Sequence, residues 1–74
     1  MTLDQIRSAK YAQPFRPFMI HLDDGHSYEV RHPDFIAVSP NGRAATFFDD
    51  AGGQHLLDLV HITEVYIPPV KAIA

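Results

Sequence analysis

The chain has no cysteine in 74 residues. That excludes disulfides and every thiolate metal site, and it fits a reducing compartment. Long apolar runs are also missing, since the longest are a few residues against the roughly 20 needed to cross a bilayer. Asp4, Gln5 and Arg7 interrupt any apolar core that a signal peptide would need, so the expected home is the cytoplasm, with no membrane partner. Positive charge is scarce as well. Six Lys plus Arg stand against nine Asp plus Glu, a formal charge of −3, which opposes general affinity for a phosphate backbone. Arg7, Lys10 and Arg16 do cluster early, but three charges read first as a solvated face, because a nucleic-acid footprint is usually denser.

What is present is a single small domain, residues 1–74. A chain of this length buries only about 60% of the surface it exposes when unfolded, so its core is thin and added stabilisation is expected. Thr2-Leu3-Asp4-Gln5 matches a capping box, and Leu3, Ile6 and Ala9 fall on one stripe. This predicts a helix over about 3–12, stopped by Pro14 and held by tertiary packing. From Phe15 the hydrophobic period changes to two, predicting a β-sheet over about 15–67 and a C-terminal tail at 68–74.

The first hairpin can be argued in register. A two-residue Asp24-Gly25 turn would set Ile20 against Glu29 and Leu22 against Ser27, an apolar face against a polar one. A three-residue Asp23-Asp24-Gly25 loop pairs Leu22 with His26, Ile20 with Tyr28 and Phe18 with Val30, with Gly25 at positive φ. Ser39-Pro40-Asn41-Gly42-Arg43 offers the same chemistry, with Gly42 as the left-handed residue of a second three-residue loop. It joins strands near 35–38 and 44–49, whose register stays open because Phe35, Ile36, Ala37 and Val38 are all apolar. Between the hairpins, His32-Pro33-Asp34 predicts a corner. Asp49 to Gly53 reads as a looser turn into a fifth strand over 54–59, and 60–63 as a tight turn before a sixth segment at 64–67. The expected class is mainly β: a short helix, then five or six antiparallel strands in a strongly bent sheet or small SH3- or Sm-like barrel.

No constellation for chemistry emerges. His26 and His32 stand about 20 Å apart along a strand, and His55 and His61 lack helical spacing, so no metal site is expected. Ser8, Ser27 and Ser39 lack a nucleophile-elbow context, and the Asp23-Asp24 and Asp49-Asp50 pairs suit turns better than acid-base work. Gly52-Gly53 is followed by no Lys-Ser/Thr and opens no helix, so it is not a phosphate loop. No cofactor is expected. The aromatic residues give a softer signal, because adjacent Phe47 and Phe48 must face opposite sides of a strand. With Leu56 they are the candidate residues for an interface.

Gln13-Pro14-Phe15-Arg16-Pro17-Phe18, Asp24-Gly25, His32-Pro33-Asp34-Phe35, Ser39-Pro40-Asn41-Gly42-Arg43 and Leu57-Asp58-Leu59-Val60 together resemble a group of short bacterial proteins of unknown function. The likeness spans almost the whole chain and implies no activity. A second likeness is architectural. A short helix leading into five strands, with an Asp-Gly hairpin after the first, is similar to the Sm-like and SH3-like small barrels, which implies a tendency to oligomerise. The second strand lacks the glycine of the Sm bend, and His61-Ile62-Thr63 only faintly echoes the Sm signature. Two functions are therefore expected to compete. One is a non-catalytic, self-associating protein-interaction module. The other is a nucleic-acid-binding barrel, with Arg7, Lys10, Arg16 and His61 as contacts.

Overall fold

The computed structural model describes residues 2–69; Met1 and the end of the expected tail, 70–74, lie outside the described residues. Helix α1 (Leu3–Lys10) begins as its sequence dictates. The Gln5 N–H donates to Thr2 Oγ1 at 3.3 Å and the Thr2 N–H to Gln5 Oε1 at 2.9 Å, closing the capping box. The helix ends two residues before the expected 12. Lys10's carbonyl would need the N–H that Pro14 lacks, so the ladder closes with Tyr11 N–H on Arg7 O.

Among the described residues six antiparallel strands follow: β1 (Phe18–Leu22), β2 (Ser27–Val30), β3 (Ile36–Val38), β4 (Ala44–Phe48), β5 (Gln54–Asp58) and β6 (Ile62–Tyr66). The expected class is thus what the molecule has, but the strands divide into two sheets, ordered β2-β1-β6 and β3-β4-β5, and among the described residues no barrel closes. Two short 3-10 helices carry the chain between sheets, Pro33–Phe35 at the expected corner and Leu59–His61 after β5. In each, the preceding side chain accepts a backbone N–H: His32 from Asp34, and Asp58 from Val60.

In the first hairpin, Phe18 faces Val30, Ile20 faces Tyr28, and Leu22 N–H reaches His26 O across the three-residue loop, as face-matching predicts. The second loop is one residue longer than expected. Ser39 N–H bonds Ala44 O, so Pro40 to Arg43 form the loop, and Ile36 pairs with Phe47 and Val38 with Ala45. A three-residue loop would have set Ile36 against Thr46, so the longer one matches the apolar faces. Gly25 and Gly42 both adopt positive φ, 93° and 74°. The supposedly looser third turn repeats the first: Asp49 N–H bonds Gly53 O across three residues, with Gly52 at φ 88°.

The sixth strand starts at Ile62 rather than Glu64. A bulge between His21 and Leu22 in the β1–β6 pairing is the reason. It lets Ile62 and Val65, three apart, both point inward, which strict alternation forbids. The core lies between the sheets and under α1: Ile6, Ala9, Phe18, Ile20, Val30, Ile36, Ala45, Phe47, Leu59 and Ile62 are buried. Burial of that apolar surface, at about 25 cal/mol per Å², is the main favourable contribution to folding. Leu3 packs on it from α1, and Lys10 Nζ donates to Ile36 O at 2.5 Å.

Candidate interaction site

Two sheets of three strands leave four edges, and the chemistry of each decides whether it attracts a partner. β3 has three residues, lies against α1, and has one outward carbonyl taken by Lys10. β2 carries Glu29, which pairs with Arg31 just past the strand's end, and Arg31 also bonds Asp50 of the β4–β5 turn. β6 is followed by Pro68 and Pro69, with Arg16 donating to Pro68 O. β5 reads Gln54-His55-Leu56-Leu57-Asp58, with no proline and no Lys or Arg. Leu56 is 80% exposed on it.

The ladder fixes which β5 groups are free. Asp49 and Gly53 form a hydrogen-bonded pair, and bonded and non-bonded pairs alternate from there. His55 and Leu57 therefore turn their backbone groups to β4, while Gln54, Leu56 and Asp58 turn theirs outward. Among the described residues no strand pairs with that side. Beside it runs an open groove of about 530 Å³, bordered by Leu56, Leu57 and Asp58 on one bank and His26 and Tyr28 on the other. Asp23 and Asp24 line its end, and His61 closes it, with Nδ1 2.8 Å from Asp23 Oδ2 and its carbonyl accepting the Asp23 N–H.

Of the candidate interface residues, Phe47 is core, 5% exposed, with its ring in tilted contact with those of Tyr28 and His55. Phe48 is half-buried on the opposite face, across from Gln54, two positions along β4 from the Thr46 that faces Leu56. Leu56 and Phe48 therefore share the outer face. Tyr11 and Val60, 64% and 71% exposed, were not singled out by the sequence. The four candidate nucleic-acid contacts do not converge. Lys10 and Arg16 spend donors on backbone carbonyls at different places, and His61 sits among aspartates. Arg7 is exposed on α1.

Each histidine lies beside its own carboxylate: His21 by Glu64, His26 by Asp24, His32 by Asp34, His55 by Asp49 and His61 by Asp23. These are separate pairs, and among the described residues no three such groups gather around a point that could hold a metal. Asp23 holds the His61 imidazole above its ordinary pKa, mainly by the hydrogen bond. Asp49 is held below the carboxylate range by His55 first, then by the Gly53 N–H at 2.7 Å. Asp24 is lowered mainly by the His26 backbone N–H.

One arrangement was invisible in the sequence because it needs the β1–β6 pairing. His21 Nδ1 lies 2.7 Å from Ser27 Oγ, and Nε2 lies 3.6 Å from Glu64 Oε1, so a Ser-His-Glu line crosses the first sheet. Nucleophilic catalysis also needs an enclosed site and donors aimed at an oxyanion. Here Ser27 is exposed and the Glu64 side chain is 60% exposed, on the open outer face. The line is a cross-strand polar tie. The chain matches no family model, no curated protein and no solved structure.

Proposed function

We propose that the chain is a non-catalytic, self-associating protein-interaction module whose contact is the free edge of β5, working in a reducing cytoplasm. The observation that carries this is Leu56. A large apolar side chain lies 80% exposed at the middle of an edge strand that has no proline and no charge before Asp58 at its end. A leucine in this position gains by burial, at about 25 cal/mol per Å² before docking costs, and the strand's outward N–H and C=O groups gain partners. The absent cysteines support the reducing setting.

Sedimentation across the micromolar range tests the reading. The wild type is expected at twice the chain mass of 8.3 kDa, and Leu56→Lys at the chain mass with unchanged circular dichroism. A wild type that stays a clean monomer throughout the range overturns it.

A further inference from the structure

The order of side chains along β5 specifies a partner. Antiparallel pairing about a local two-fold axis matches residues whose numbers have a constant sum, so a five-residue strand centred on Leu56 opposes itself. Leu56 then meets Leu56 of the second copy, Gln54 meets Asp58, and His55 meets Leu57. No like charges oppose. The central pair is apolar, and on each side a Gln54 amide faces an Asp58 carboxylate that it can donate to.

The backbone agrees. Gln54, Leu56 and Asp58 are the residues whose backbone groups point away from β4, and this register makes those same residues the hydrogen-bonded pairs of the new ladder. Any register shifted by one would set outward groups against side-facing ones. A shift by two would leave an overhang and place Leu56 opposite Gln54 or Asp58. Space is available too, since the groove of about 530 Å³ runs along this edge between Leu56 and Tyr28.

We propose that two copies pair β5 against β5 about a two-fold axis at Leu56, joining two three-stranded sheets into one of six strands. This rests on the self-association reading above and deepens it by naming the partner surface and its register. The outer faces of both sheets then lie on one side, with the Leu56 pair at the axis and the Phe48 of each copy diagonal to its own Leu56 on that face.

The absence of native cysteine makes the register measurable, because an introduced thiol is the only one in the chain. In the proposed pairing the two Leu56 Cα atoms lie about 5.5 Å apart, whereas the two Gln54 positions are four residues out of step, roughly 14 Å along the strand. A short thiol-bridging reagent applied at micromolar protein is expected to link Leu56→Cys into dimers. Gln54→Cys alone should link at least tenfold less, and a mixture of Gln54→Cys with Asp58→Cys should link readily. Leu56→Lys sets two ammonium groups face to face and should weaken association by roughly a hundredfold. A dimer that bridges as well through Gln54→Cys as through Leu56→Cys overturns the register and leaves self-association standing. A wild type that sediments as a monomer overturns both.

Discussion

The two sheets have the same number of strands but opposite fates at their margins. In β2-β1-β6 the central strand is bonded on both sides, and its edge strands carry Glu29 and Glu64, with Arg31 and the Pro68-Pro69 pair just beyond their ends. In β3-β4-β5 the helix and Lys10 cover one edge and the other is left open with Leu56 on it. The core draws more of its buried side chains from the first sheet, and the second leaves more apolar surface at its margin. The first sheet supplies Phe18, Ile20, Val30 and Ile62, all essentially inaccessible. The second supplies fewer fully buried side chains and keeps a free strand.

The largest effect should come from breaking that contrast at its rigid end. Ile20 is 0% exposed at the centre of β1, flanked by Tyr28 on β2 and Val65 on β6. Ile20→Ala removes buried methyl groups and leaves a cavity, so about 2–5 kcal/mol of unfolding free energy should be lost in urea titration. Leu56→Ala, measured at a concentration where the chain is monomeric, should change it by no more than about 0.5 kcal/mol. Equal losses would mean that the open strand is part of the core.

The turns allow a finer version of the same comparison. Gly25, in the first sheet's hairpin, and Gly42, in the second's, are both left-handed, so valine is strained at either and should cost about 1 kcal/mol or more. The surroundings separate them. A Cβ at Gly25 would meet nothing within 4 Å, while one at Gly42 would come 3.1 Å from Leu3 Cβ. Gly42→Val should therefore be the more destabilising, and should also loosen α1, visible as faster amide exchange at Ile6 and Ala9. A larger loss from Gly25→Val would show that the helix yields at no cost.

These two regions also differ in how far they could be read in advance. Local signals were sufficient for the first hairpin, where alternation allowed only one register, and for the Thr2 and Gln5 cap. They failed at β3, because four consecutive apolar residues carry no alternation, so only the observed Ile36–Phe47 pairing reveals the four-residue loop. They failed again at β6, because a bulge breaks the period on which strand reading depends. The order of strands within the sheets is a long-range matter that period and turn chemistry do not encode. Leu56 was legible as an unprotected edge residue, since proline and charge are local. The groove beside it was not, because Asp23, Asp24 and Asp58 meet only when the chain returns after β5.

The smallest effect lies where the two sheets meet. Asp23 belongs to the β1–β2 loop and His61 to the 3-10 helix leaving β5, and they are joined by the side-chain contact at 2.8 Å and by Asp23 N–H on His61 O at 2.9 Å. The aspartate raises the His61 pKa above its ordinary 6.5, chiefly through that hydrogen bond, then by its charge, with smaller help from Asp58 and Asp24. A group whose folded pKa is raised stabilises fully below its unfolded value. That contribution falls away as pH rises through the folded value. The tie between sheets should thus be strongest in mild acid and weaken above neutrality. The acidic limit is set by Asp24 and Asp49, whose lowered values mean that their stabilisation holds above the usual 3.8 and is lost as pH drops through the folded values. Because His61 is exposed, the change in stability should be small, and the titration itself is the sharper measurement. In NMR the His61 ring should titrate above 6.5 in the wild type and return towards 6.5 in Asp23→Asn. A wild-type value at or below 6.5 would show that the pair does not hold the seam in solution, leaving the backbone bond as the join between the sheets there.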